Sequence, residues 1–254
     1  MARTPETVTA RPGSDPPEAP LILAGVDGRP VVVLPLHGVA HDDDLTVQAF
    51  ARHLDAAAPV AGRSIVAGMR AFLEGKPQLA PSPPWSLTGS VPATGDAAVE
   101  LLGLAAGCSP DEIERARRAS RHDLGSSAWI LDPADGLSEL LDLLAGRADL
   151  VLIADPDDRT TGPVLDALEL ADRFAVIRTA ELQDVLTGRR ALLIDTAWEP
   201  ALAAACATGP TTALVDRFGT GDGAPDLRAS DLPGLLPGIT TWLDGPPSAG
   251  SGGG

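Results

Sequence analysis

Two hydrophobic patterns divide this chain. Short runs of consecutive apolar residues alternate with longer stretches in which apolar residues return every third or fourth position. The runs are residues 30–36 (PVVVLPL), 149–154 (DLVLIA), 174–177 (FAVI), 191–194 (ALLI) and 212–215 (TALV). A strand whose successive side chains are all apolar has no face to give to water, so these five runs predict a parallel sheet buried on both sides. Between the later runs, residues 134–144, 162–170 and 200–207 have helical length and helical spacing, which is the alternation of a βαβ fold.

From Leu45 to about Asp123 the alternation stops. No strand run occurs there, and helical spacing appears at residues 47–57, 64–73, 96–105 and 111–120. Ser109-Pro110-Asp111-Glu112 reads as a helix start, with a cap, a first-turn proline and early acids. A helical module is therefore expected to interrupt the α/β core after its first strand. Residues 79–95 (LAPSPPWSLTGSVPATG) read as a long loop, in which Trp85 either docks against a partner or folds back onto the helical module. Residues 1–20 lack apolar periodicity, and GPPSAGSGGG from Gly245 is a flexible tail by composition. The expected division is a disordered tail at 1–20, an α/β core at 21–47 and 128–244, a helical module at 48–127, and a tail at 245–254.

Composition narrows the partners. Of 254 residues, 44% are hydrophobic and 21% charged, enough apolar material for a packed core and against wholesale disorder or a fibrous repeat. Thirty-five acidic against nineteen basic side chains give a formal charge of −16, which repels nucleic acid phosphate and anionic membrane. No run reaches the roughly 18 apolar residues of a membrane span, and the first twenty residues lack the apolar stretch of a secretion signal. Cys108 and Cys206 form no CxxC pair, so neither a disulfide framework nor a cysteine zinc cluster is expected. A cytoplasmic protein with no nucleic acid and no membrane partner is the resulting expectation.

Residues 31–50 (VVVLPLHGVAHDDDLTVQAF) resemble the opening motif of the haloacid dehalogenase-like hydrolases, an apolar strand ending in Asp-x-Asp-Gly-Thr/Val with a further Asp a few residues on. In that frame Pro35 stands at the family's nucleophilic Asp and His37 at its acid/base Asp. Gly38 and Val39 match, and Asp42 falls on the later acid. Residues 131–174 are similar to the stretch carrying the second motif, with Ala154 and Asp155 at its Ser/Thr and Asn positions. IDTAWEPALAAACATG from Ile194 is similar to the fourth motif, Gly-Asp-Ser/Thr-x-x-Asp: Asp195 and Thr196 match, and Glu199 replaces the second Asp. The lysine of the third motif has no counterpart, since Lys76 is the sole lysine and lies in the helical module. The resemblance implies a three-layer, Rossmann-like α/β core with the helical module as a cap over the active site.

It also implies that the chemistry has changed. An aspartyl-phosphate mechanism needs an attacking carboxylate, a second carboxyl to protonate the leaving group, and Mg²⁺ with cationic groups around the phosphoryl. The ring nitrogen of Pro35 is acylated and its side chain apolar, so it cannot attack, and Ala154 lacks the phosphate-holding hydroxyl. No catalytic residue is therefore expected at the degenerate positions Pro35, His37 and Ala154. The ligand-binding candidates are His37, Gly38, Asp155, Asp195 and Thr196. No cofactor is expected beyond a weak Mg²⁺ on Asp195 and Glu199. The expected function is a pseudoenzyme that binds a protein partner or an anionic metabolite; the alternative is a phosphatase-type hydrolase with a rearranged site using Asp195, Glu199 or His37. His37 reads as a hydrogen-bonded histidine at the mouth of the sheet rather than a phosphoryl acceptor. His41-Asp42-Asp43-Asp44 looks like a metal cluster, but consecutive side chains seldom converge on one ion, so the acids read as capping the helix predicted from Leu45.

Overall fold

A computed structural model describes residues 28–58, 64–75, 91–126, 131–154, 160–198, 202–207, 209–219 and 223–245. Each of the five apolar runs forms a strand: β1 (Val31–Pro35), β2 (Asp149–Ile153), β3 (Ala175–Ile177), β4 (Ala191–Asp195) and β5 (Thr211–Val215). A short edge strand, β6 (Leu227–Ala229), completes a six-stranded parallel sheet in the order β3-β2-β1-β4-β5-β6. In β1, Val32 and Leu34 join an apolar cluster on one face while Val31 and Val33 join another on the opposite face, and none of the four has exposed surface. Burial on both faces is the reason the run carries no polar residue.

The helical module lies between β1 and β2 as α1 (Asp44–Ala57), α2 (Ile65–Leu73), α3 (Gly95–Ala105) and α4 (Pro110–Ser126). On α1, Val47, Phe50, Ala51 and Leu54 repeat at helical spacing, and they meet Met69 and Phe72 of α2, Val99 of α3 and Ile113 of α4 in a core of their own. Ser109 and Glu112 form the predicted start of α4, with Ser109 N–H donating to Glu112 Oε2 at 2.7 Å and Glu112 N–H to Ser109 Oγ at 3.3 Å. Two boundaries move. Helix α1 begins at Asp44, ahead of the division drawn at residue 48, and α4 runs past Ser120 so that Leu124 packs into the main core rather than the module's.

The sheet is covered on one face by α5 (Leu137–Leu144), which is joined in the same cluster by Val164 and Leu165 of α6 (Thr161–Ala167). The other face packs against α7 (Leu182–Leu186) and α8 (Ala203–Cys206), through Val185, Leu186 and Ala205. A last helix, α9 (Leu232–Asp244), returns to the first face through Leu232, Leu235 and Ile239. Three elements here go beyond the sequence expectation. Strand β6 has three residues and one partner, too short for a periodic signal, and α7 has five. Helix α9 is written LPGLLPGITTWLD, whose Pro and Gly argue for a loop. It forms because Pro233 sits in the first turn, where no amide donor is needed, and Asp231 accepts from the Gly234 N–H at 2.8 Å. Among the described residues no helix is long and apolar enough to cross a membrane.

The winding places a crevice. From β1 the chain moves outward through β2 and β3, then returns to lay β4 against the other side of β1 and moves outward again through β5 and β6. The loops that follow β1 and β4 therefore diverge, and in open parallel sheets ligands bind at such a switch point, outside the carboxyl ends of the strands.

Candidate functional site

A cavity of about 460 Å³ opens at that point. Its floor comes from the strand ends, with His37 and Gly38 after β1, Thr196 after β4 and Arg217 after β5. Its roof comes from the helical module, with Asp43, Asp44 and Val47 at the start of α1 and Thr94 to Asp96 at the start of α3. The loop of residues 36–43 crosses from β1 toward β4, and Gly38 makes that crossing with φ +79°. A Cβ at Gly38 would lie 3.1 Å from Thr196 Cγ2 and 3.3 Å from Asp43 Oδ2, so strand end, loop and helix start are in contact through the missing side chain. Farther along, the Ala134 N–H donates to the Ala40 carbonyl at 3.2 Å, which pins the loop to the core.

Three side chains converge in this loop. His41 has no exposed surface, and its Nδ1–H donates to the Asp42 carbonyl at 3.0 Å. Burial depresses its basicity, against an opposing pull from Asp43, and with Nδ1 donating, the ring presents the lone pair of Nε2. That lone pair faces His37 Nδ1 at 3.1 Å and Asp43 Oδ1 at 3.8 Å, and the third side of the triangle, His37 Nδ1 to Asp43 Oδ1, is 3.6 Å. Asp43 Oδ1 is itself buried without a hydrogen-bond partner. A buried acceptor left unmatched costs about 1–3 kcal/mol, so this one asks for an occupant.

The capping role expected of the acids is corrected. Asp43 occupies the position before α1 but makes no capping hydrogen bond, because its carboxylate turns to the histidines. Asp42 caps instead, accepting from the Asp44 N–H at 2.8 Å, while Asp44 holds Arg217 through two bonds of 2.7 and 3.0 Å.

The β4 side differs. Asp195 Oδ1 accepts from the Thr196 N–H at 2.7 Å and the Ala197 N–H at 3.3 Å. Burial raises its proton affinity, and those two donors oppose the rise. Mg²⁺ takes octahedral oxygen and is usually held through one or two carboxylates. Opposite Asp195 the end of β1 is Pro35, which offers no side-chain oxygen, and Glu199 lies outside the described residues. Among the described residues, these two strand ends supply one carboxylate to such an ion, Asp195.

Around both sides the cavity is acidic. Among the described residues Asp42, Asp43, Asp44, Asp96, Asp135 and Asp231 line it, against Arg217, which is already paired. Burial, and then the charge of Asp43, push the Asp96 carboxyl above its usual range.

Of the sequence candidates, His37, Gly38 and Thr196 line the cavity. Asp195 ends β4 one residue before Thr196 and is not itself among the lining residues. Ala154 follows β2, bonds its N–H to the Ile177 carbonyl at 3.0 Å and packs on the core, away from the cavity lining. Asp155, Glu199 and the Trp85 loop lie outside the described residues. What the sequence reading set aside is the pair His41 and Asp43. The signal was the spacing His37-x₃-His41-x-Asp43, which brings alternate rather than consecutive residues together.

No family model matches the chain, and no curated protein matches it in sequence. Solved structures do resemble it. A haloacid dehalogenase-like family hydrolase from Streptococcus pneumoniae aligns with TM-score 0.52 and 14% identity over 84% of this chain and 99% of that one. A HAD-hydrolase from Bacillus subtilis, solved bound to magnesium, aligns with TM-score 0.51 and 15% identity, again over 84% and 99%. Strand order, the helical module after β1 and these alignments agree: the chain has the fold of the haloacid dehalogenase-like hydrolases.

Proposed function

We propose that this protein has the haloacid dehalogenase-like fold without its aspartyl-phosphate chemistry, and works by binding a cationic or metal-bound ligand in the cavity beneath the helical module, which serves as its cap. The observation that carries the reading is the end of β1. Pro35 lies in register with Ile153 of β2, beside the strand that ends in Asp195, so the switch point has a proline where the mechanism needs its nucleophile. The nature of the ligand follows from charge. Six aspartates on the wall weigh against the anionic metabolite expected from sequence and favour a cation, since a second negative charge there is repelled in a site of reduced dielectric.

The test is turnover of an aryl phosphate across a range of Mg²⁺ concentrations, by the wild type and by Asp195→Asn. Neither is expected to exceed background. Turnover by the wild type that disappears in Asp195→Asn overturns the reading and favours a hydrolase with a rearranged site. On the binding side, inorganic phosphate is expected to leave the melting temperature unchanged; a rise would point back to an anion.

A further inference from the structure

Three donors in a triangle, two of them imidazoles, form a more specific arrangement than an acidic wall. In a tetrahedral zinc site with bonds of about 2.0–2.2 Å, the donor atoms stand roughly 3.3–3.6 Å apart. Here the three separations are 3.1, 3.6 and 3.8 Å. We propose that His37 Nδ1, His41 Nε2 and Asp43 Oδ1 hold one divalent first-row transition metal, of which Zn²⁺ is the best match. The donor set argues for this class, because imidazole suits zinc and its neighbours whereas Mg²⁺ and Ca²⁺ take oxygen.

Two further features fit. The His41 ring is oriented by the Asp42 carbonyl on Nδ1, a hydrogen bond that leaves Nε2 as the nitrogen to meet a metal. Asp43 Oδ1, buried and without a hydrogen-bond partner, gains the ligand it lacks. Without metal, the 3.1 Å contact is a hydrogen bond from His37 Nδ1–H to His41 Nε2. On binding, His37 carries its hydrogen on Nε2 instead, both facing nitrogens offer lone pairs, and the ion takes the place of the shared proton. His37 and Asp43 line the cavity and His41 stands behind them, so the fourth position opens toward the cavity. Three protein ligands with one open position leave room for water or an oxygen donor of a bound molecule. The inference deepens the reading of the cavity as a cation site and is independent of whether the chain hydrolyses phosphate esters.

Chelator-treated protein titrated with Zn²⁺ in a calorimeter tests it, with Co²⁺ as the spectroscopic probe. The expected result is one Zn²⁺ per chain, undiminished by excess Mg²⁺, and visible Co²⁺ bands of the intensity of a tetrahedral site. His37→Ala and Asp43→Ala, both at partly exposed positions and each checked for folding by circular dichroism, are expected to weaken Zn²⁺ binding by about 100-fold or more. No binding by folded wild type, or binding that survives either substitution undiminished, overturns the proposal. The phosphate-ester assay stays informative in both cases, since it reports on Pro35 and Asp195 rather than on this triangle.

Discussion

The two sides of the cavity hold acids of opposite condition. On the β4 side, Asp195 matches a family motif, yet one of its oxygens already accepts from two backbone amides. On the β1 side, Asp43 matches no motif, yet its buried oxygen faces two imidazole nitrogens and has no hydrogen-bond donor. Motif position reports what a residue resembles, whereas hydrogen-bond occupancy reports what it is free to bind. By that second measure the loop beyond β1, rather than the end of β4, carries the acceptor open to a ligand.

Breaking the β1 side is expected to have the largest effect. His41→Ala empties a site without exposed surface and leaves the Asp42 carbonyl without its donor, and the loss of stability should be about 3 kcal/mol. His37→Ala, at a half-exposed ring, should cost below about 1 kcal/mol, so chemical denaturation of the two separates the buried anchor from the cavity-facing ligand. Similar values for both would mean that the loop is not held from within.

Gly38→Ala probes the contact between the sides. At φ +79°, with Thr196 3.1 Å from the new methyl carbon, it should lose about 1–2 kcal/mol. A neutral result would show that the loop and Thr196 separate freely.

The smallest effect belongs to Asp195→Asn, and its sign is opposite. Burial raises the folded-state affinity of Asp195 for a proton above its unfolded value. Its contribution to stability is therefore full below the unfolded carboxylate range and is lost as pH rises through the raised folded value. Asparagine does not titrate, so the variant should gain on the wild type as pH rises through the carboxylate range. Melting curves across the acid-to-neutral range check this. A variant less stable than wild type at neutral pH would mean that the two amide donors outweigh burial, which would sharpen the contrast with Asp43.

Much of the architecture was legible in the residues. A strand buried on both faces must be apolar at every position, so β1 and β4 declare themselves as VVVL and ALLI without reference to anything distant. The helical module declares itself in the same way, through one apolar stripe per helix, and the cap of α4 through Ser109 and Glu112. The frame of the first motif likewise put Pro35 at the end of β1 and His37 and Gly38 at the cavity. Helix α9 resisted, because Pro and Gly lower local helix propensity while its stability comes from Leu232, Leu235 and Ile239 packing on the sheet.

The loop after β1 marks the division. Sequence alone supplied the donors, His37, His41 and Asp43, and even their spacing. Whether they meet depends on the turn that Gly38 permits, on the anchoring of Ala40 by Ala134 from beyond the helical module, and on the burial of His41. The last two arise between segments far apart in the chain. A local pattern encodes which residues avoid water, because that preference belongs to each side chain by itself. Convergence of three polar atoms on one point belongs to the packed structure, and only tertiary contacts decide it.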